Sequence, residues 1–218
     1  MRILSPSILS ADFSVLGEEI KTVTDAGAAY IHIDVMDGAF VQSISYGMPV
    51  IKSIRKCTDA VFDVHLMVNE PIRYIDDFAD SGADIITVHQ EACSDLRATI
   101  EAIRDAGKKV GISINPDTQV CVLSDVVHLC DMVLIMSVHP GFGGQSFIPH
   151  SLNKIRETKE LLKAKGLDDV DIEVDGGIYP DNVREVLEAG ANVIVAGSSV
   201  FKGDAAENVK RFLEIFNE

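Results

Sequence analysis

The run Tyr30-Ile31-His32-Ile33-Asp34-Val35-Met36 carries a histidine and an aspartate two residues apart among apolar residues. Side chains alternate faces along a strand. Ile31, Ile33 and Val35 then share one face, and His32, Asp34 and Met36 the other. The pattern recurs at Val61–Met67, where Phe62, Val64 and Leu66 alternate with Asp63, His65 and Met67. It recurs again where Ile172 and Val174 alternate with Glu173 and Asp175. An ionisable group turned into an apolar interior must be paired or bound to a metal. Any one of these residues alone reads as a satisfied polar group of the core. Together, His32, Asp34, His65 and Asp175 offer two imidazoles and two carboxylates, a donor set suited to one Zn2+, Fe2+, Mn2+ or Co2+ ion. Two carboxylates also permit proton exchange at a carbon beside a ketone: one removes a proton from one face, the other returns one to the opposite face. A metal would stabilise the enediolate oxygens. That chemistry inverts one stereocentre and needs no nucleophile and no organic cofactor.

Three further segments suit a phosphorylated substrate. Ser137-Val138-His139-Pro140-Gly141-Phe142-Gly143-Gly144-Gln145, Asp175-Gly176-Gly177 and Ala196-Gly197-Ser198-Ser199 each follow an apolar run. Glycine lets backbone N–H groups come close to an anion. His89 reads as a structural or supporting residue. Glu91 and Asn115 could orient ligands. His128 and His150 fall in or beside helical patterns and read as surface or packing residues. Met36, Met67 and Met136 lie near strand ends, where they could fill the core or cap the site. No lysine falls on an inward face near a strand's C-terminal end, and Lys108 and Lys109 begin the fifth strand at the opposite end, which argues against Schiff-base chemistry.

The elements that must position these residues alternate. Candidate strands are Ile3–Leu9, Tyr30–Met36, Val61–Val68, Asp84–His89, Lys109–Asn115, Met132–Val138, Asp171–Asp175 and Val193–Ser198. Amphipathic helical patterns cover Phe13–Ala26, Pro71–Ser81, Leu96–Ala106, Ser151–Lys165, Asn182–Ala189 and Ala205–Phe216. Gly27, Gly82, Gly107 and Gly190 each follow a helical pattern, as helix-terminating glycines do. Eight βα units without a linker predict an α/β chain folded as a single (β/α)8 barrel domain over residues 1–218. In such barrels the chemistry sits at the C-terminal strand ends. No G-x-G-x-x-G motif follows the first strand, which disfavours a dinucleotide-binding sheet.

Composition narrows the partners. The 19 Lys and Arg against 34 Asp and Glu give a net charge of −15. That balance disfavours nucleic acid and anionic membranes. Four cysteines without a C-x-x-C pair predict reduced, buried thiols in a cytoplasmic protein.

The motifs SPSILSADF, IHIDVMDG, DVHLMV, ADIITVH, SVHPGFGGQSF, EVDGG and VAGSSVF occur in this order. Over essentially the whole chain they resemble the ribulose-phosphate 3-epimerase family. The resemblance implies a metal-dependent (β/α)8 isomerase, a barrel of the ribulose-phosphate-binding type, interconverting D-ribulose 5-phosphate and D-xylulose 5-phosphate. It implies His32, Asp34, His65 and Asp175 as metal ligands, and Asp34 and Asp175 as the acid/base pair. It assigns substrate and phosphate contacts to Ser7, His65, Met36, Met67, Met136, Gly141, Phe142, Gly143, Gly144, Asp175, Gly176, Gly177, Gly197 and Ser198. A homo-oligomer is expected. The chain departs from the family at Ala39-Phe40-Val41-Gln42-Ser43, where His-Phe-Val-Pro-Asn is usual, and at His139, usually asparagine or an acid. An allulose 6-phosphate 3-epimerase, a metal-dependent aldolase and a silent sugar-phosphate-binding barrel are the competing readings.

Overall fold

The computed structural model describes residues 1–218. Its strands are β1 (Ile3–Pro6), β2 (Tyr30–Met36), β3 (Val61–Met67), β4 (Ile85–His89), β5 (Lys109–Ile114), β6 (Met132–Met136), β7 (Asp171–Asp175) and β8 (Val193–Ala196). All are parallel, each beside its neighbours in sequence, and β8 returns to β1. A bridge between Ser7 and His32 joins β1 to β2, so the sheet curls into a (β/α)8 barrel. Around it lie α1 (Leu16–Asp25), α2 (Met48–Ile54), α3 (Ile75–Asp80), α4 (Leu96–Asp105), α5 (Ser151–Lys165), α6 (Val183–Ala189), α7 (Ser198–Phe201) and α8 (Ala205–Asn217). A cluster of 48 buried apolar residues fills the layer between strands and helices. A second cluster, Ile3, Tyr30, Ile85, Met132 and Val193, plugs the N-terminal end of the barrel. The interior above this plug is polar.

Two short helices, α2 and α7, escape the sequence patterns. Between β5 and β6 the chain makes only two 3-10 turns, Val120–Leu123 and Val127–Leu129. Several strands stop earlier than their apolar runs. At β1, Ser7 Oγ accepts from Leu9 N–H and opens a 3-10 turn. At β8, Gly197 becomes the N-cap of α7. Gly27, Gly82, Gly107 and Gly190 all have positive φ, as their positions after helices require. The cysteines depart from expectation: all four are free, but only Cys130 is buried and Cys121 is exposed.

At the N-terminal rim, the residue before an even strand pins the preceding odd strand. Asp84 Oδ2 accepts from Phe62 N–H, Asp131 Oδ2 from Val110 N–H and Asn192 Oδ1 from Ile172 N–H, each at 2.8 Å. Inside the barrel, Gly111 of β5 lies opposite Thr87 of β4. A Cβ on Gly111 would fall 2.1 Å from Thr87 Oγ1. Gly111→Ala is therefore expected to cost roughly 1–3 kcal/mol in urea unfolding. A double-mutant cycle with Thr87→Ala should show coupling above about 0.5 kcal/mol. Strict additivity would refute the contact.

Candidate active site

Strand register assembles the site. In the β2–β3 pair His32 stands opposite Asp63, Asp34 opposite His65 and Met36 opposite Met67. Across the barrel, Met136 of β6 stands opposite Asp175 of β7. His32 Nε2 lies 3.3 Å from Asp34 Oδ1, 3.3 Å from His65 Nδ1 and 3.9 Å from Asp175 Oδ2. His65 Nδ1 lies 3.2 Å from Asp34 Oδ1 and 3.9 Å from Asp175 Oδ2. The four ligand atoms all fall within 4.8 Å of one another. Ligand atoms placed tetrahedrally at about 2.0–2.2 Å from an ion are separated by roughly 3.3–3.6 Å. The set therefore fits a small divalent cation in both chemistry and spacing.

A buried polar layer supports it from below. His32 Nδ1 is 2.6 Å from Asp63 Oδ2 and 3.6 Å from Glu173 Oε1, and Thr87 Oγ1 donates to Asp63 Oδ1 at 3.3 Å. Burial would push His32 down, but Asp34 and Asp63 on either side of it raise it well above its ordinary value. In the cation-free protein the two carboxylates thus favour the imidazolium form of His32. It holds Asp34 and Asp63 ionised against the opposing effect of burial. Burial and the charge of Asp63 raise Glu173 well above the carboxylate range. Asp175 is pushed up to about 7, by burial first and then by the charge of Asp34. Burial lowers His65, and brings His89 down to about 4.

Above this centre opens a cleft of ≈ 550 Å³, measured out to its open mouth. Ser7 Oγ donates to Asp34 Oδ2 at 2.5 Å. Met36, Met67 and Met136 are buried and line the cleft. On its other side lie Gly141, Phe142, Gly143, Gly144, Gly176, Gly177, Gly197 and Ser198. Two of these glycines are steric necessities. Gly176 has φ +123° and Gly177 φ +66°, and a Cβ would lie 2.4 Å from Val138 Cγ2 or 2.3 Å from Phe147 N. Gln145 Nε2 braces the β6 loop by donating to the carbonyls of His139 and Phe142. Phe142 is 66% exposed at the rim. Of the two departures from the family pattern, His139 faces outward toward Asp117. In the other, Ala39–Ser43, the backbone N–H groups of Ala39 and Phe40 donate to Asp37 Oδ1.

The structure brings every sequence-derived ligand and cleft residue to one end of the barrel, and leaves His128 and His150 exposed. Two contributions were missed. Asp63 and Glu173 were placed on the inner face without a role. Their position two residues before His65 and Asp175 could have marked them as the layer beneath. Lys154 of α5 is buried and donates through Nζ to the carbonyls of Asn115 (2.5 Å) and Pro116 (3.2 Å). Burial lowers it to about 8. Its spacing from buried Ser151, Thr158 and Leu162 was the available signal.

Known proteins resemble this chain along most of its length. The model of the ribulose-phosphate 3 epimerase family matches residues 3–201. The ribulose-phosphate 3-epimerase of Synechocystis sp. is 56% identical over 201 residues, covering 91% of this chain and 87% of that protein. That of Bacillus subtilis is 52% identical over 198 residues, 91% of each. The chloroplastic ribulose-5-phosphate-3-epimerase of Arabidopsis thaliana is 48% identical over 211 residues, 95% of this chain and 75% of that protein. Among solved structures, KGPDC from Streptococcus mutans superposes with a TM-score of 0.72 at 14% identity, over 100% of this chain and 98% of the other. A 3-hexulose-6-phosphate synthase gives a TM-score of 0.66 at 22% identity over 97% of each. These structural likenesses speak for the barrel alone. With a family match from the first strand to the end of the seventh helix, and relatives sharing half of its residues, this chain belongs to the ribulose-phosphate 3-epimerase family.

Proposed function

We propose that the chain interconverts D-ribulose 5-phosphate and D-xylulose 5-phosphate by inverting carbon 3 between Asp34 and Asp175. The observation that carries this reading is that Asp34 and Asp175 bring two carboxyls from β2 and β7 to one centre, both beside His32 Nε2. In the cation-free protein His32 holds Asp34 ionised, whereas burial and the charge of Asp34 raise Asp175 to about 7. Two carboxyls that reach one centre from different strands are what two-sided proton exchange requires. Asp34 takes the C3 proton, and the electron pair of the C–H bond moves into the C2 carbonyl to give an enediolate. Asp175 then delivers a proton to the opposite face of C3. The reverse reaction exchanges their roles.

A divalent ion held by His32, Asp34, His65 and Asp175 would offset the charge on the enediolate oxygens. The donor set does not distinguish Zn2+, Fe2+, Mn2+ and Co2+. Ser7 fixes the orientation of Asp34 through its hydroxyl. Met36, Met67 and Met136 shield the enediolate from water. Backbone N–H groups of Gly141–Gly144, Gly176-Gly177 and Gly197-Ser198 receive the phosphate. No helix is long and apolar enough to cross a membrane. We read residues 1–218 as one domain, because its 48-residue core draws on all eight strands. A second copy of the chain is the macromolecular partner this reading favours. Phe13 and Ile44 are 51% and 80% exposed near the mouth, and Phe13 packs edge-on against Tyr46.

Proton NMR of D-ribulose 5-phosphate in D2O should show xylulose 5-phosphate carrying deuterium at C3. Conversion of allulose 6-phosphate instead would shift the assignment to the six-carbon ketose. Silence with both sugars, in folded and metal-loaded protein, would favour the silent barrel. Chelation should abolish turnover and added divalent ion restore it. Asp34→Asn and Asp175→Asn should each lower kcat by about 10²–10⁴-fold or more with the fold intact. Wild-type turnover in either variant would sink the two-base scheme.

Stability supplies an independent check. In the folded state Asp175 binds a proton that the unfolded chain has released above its ordinary value of 3.8. The cation-free protein therefore loses stability as pH rises from about 4 to about 7. Asp175→Asn removes that loss. In chelator at pH 8 it should melt several degrees above wild type, with the gap narrowing toward pH 4. An equal gap at both pH values would contradict the raised carboxyl. Sedimentation should give a particle larger than 23.6 kDa, which Ile44→Asp reduces to a monomer. A wild-type monomer at tens of micromolar would refute the assembly.

A further inference from the structure

His65 has two ring nitrogens with different surroundings. Nδ1 faces the donor cluster, whereas Nε2 points away from it, 2.8 Å from Nε2 of His89. Two imidazole nitrogens at that separation must divide the roles of N–H and lone pair. A lone pair on Nδ1, which a cation requires, places the single proton of neutral His65 on Nε2. His65 then donates to His89. The proton of His89 sits on Nδ1, which lies 3.4 Å from Glu91 Oε2. The other oxygen of Glu91, Oε1, accepts from Asn115 N–H at 2.7 Å and from the Thr118 hydroxyl. The line from the donor cluster thus ends on the loop after β5.

Packing alone gives no reason for a histidine at position 89. Its ring is fully buried, stacked on His65 with centroids 4.9 Å apart and covered by Phe40 at the same distance. An apolar ring would fill that space without the cost of burying an Nδ1 that makes no well-directed hydrogen bond. What a hydrocarbon could not supply is an acceptor for His65 and an N–H dipole facing Glu91 Oε2 at 3.4 Å. We propose that His89 and Glu91 are positioning residues: they hold His65 with its proton on Nε2 and couple cation binding to the ordering of the Asn115–Thr118 loop. The proposal rests on the cation-site reading of His32, Asp34, His65 and Asp175. Partners in this place orient a ligating histidine and make it a better donor to the ion. By linkage, whatever orders the loop through Glu91 must tighten cation binding, and a bound cation must order the loop.

The test uses Co2+ as the probe. Its visible absorption and competition with a chelator give the affinity, and hydrogen exchange reports the amides of Asn115–Thr118. In wild type, Co2+ should bind and slow exchange in that loop. Glu91→Gln has the same shape, but its amide can satisfy the loop or His89, not both. It should lose about ten- to a hundredfold in Co2+ affinity and most of the added protection. His89→Phe should lose as much affinity, and carries the test should Glu91→Gln not fold. Glu91→Asp should recover part of the loss. Affinity within twofold of wild type in both Glu91→Gln and His89→Phe would overturn the proposal. The tautomers are read separately, by long-range 1H–15N NMR of the metal-free protein. His65 should carry Nε2–H and His89 Nδ1–H, and the opposite pair would overturn the proposal. If wild type fails to bind Co2+, the cation-site reading falls, while the tautomers still decide the relay.

Discussion

The structure is organised around the burial of charge inside a parallel barrel. His32 sits between two carboxylates, with Asp34 above it and Asp63 2.6 Å below. Each of the three would be costly alone in an interior without water. As a stack in the cation-free protein, the imidazole in the middle offsets the carboxylates on either side of it, leaving a net negative charge at the centre. The strand register makes the stack possible, because His32 and Asp63 occupy the same rung and Asp34 and His65 the next. Glu173 joins the lower rung as the neutral member, and Asp175 joins the upper one. The polar middle of the barrel is accordingly two layers deep. The lower layer aims the side chains of the upper, and the apolar plug beneath keeps water from entering at the far end.

The loops at the mouth are joined by the same kind of bond, turned outward. Asp37 Oδ2 accepts from Asn69 N–H, Glu70 Oε1 from Ser94 N–H and Glu91 Oε1 from Asn115 N–H. Each carboxylate follows one strand and grips the loop that follows the next. Backbone donors that would otherwise be left loose at the rim are satisfied. The loops after β2, β3, β4 and β5 become one connected half-ring. The half-ring after β6, β7 and β8 is built instead from glycines, which leave backbone donors free for an anion. One half of the mouth is cross-braced by side chains, and the other is kept open.

Much of this was legible in the sequence, for a simple reason. A strand buried on one face against helices and on the other around a polar centre must alternate, so the faces of β2, β3 and β7 could be read directly. That alternation already set His32, Asp34, His65 and Asp175 inside the barrel. Features that depend on the partner strand could not be read from one strand alone. Asp63 looked like any inward acid until the register placed it under His32. Asp84, Asp131 and Asn192 sit at loop–strand junctions, where an acid or amide is unremarkable, and their task shows only once the neighbouring strand is in place. The helix α2 opens on Gly47 with Pro49 in its first turn, residues that read as a turn. The strands read too long at β1 and β8, because side-chain polarity does not reveal where a serine or glycine turns the backbone.

The pins at the N-terminal rim also bear on how the chain comes together. They join residues 22, 21 and 20 positions apart. The terminal contact of Arg2 with the carbonyl of Phe216 joins residues 214 apart. Loop closure scales with the logarithm of length, so each pin costs about 2 kcal/mol less chain entropy than the terminal seam. The pairs β3–β4, β5–β6 and β7–β8 are each fastened by such a local bond. The pair β1–β2 has Ala29 at the corresponding place and no pin of this kind. The odd–even strand pairs are therefore three fastened two-strand units and one unpinned pair. Ser7 and His32 meet on that pair, so the candidate site lies across the one odd–even pair of strands that no such side-chain bond fastens.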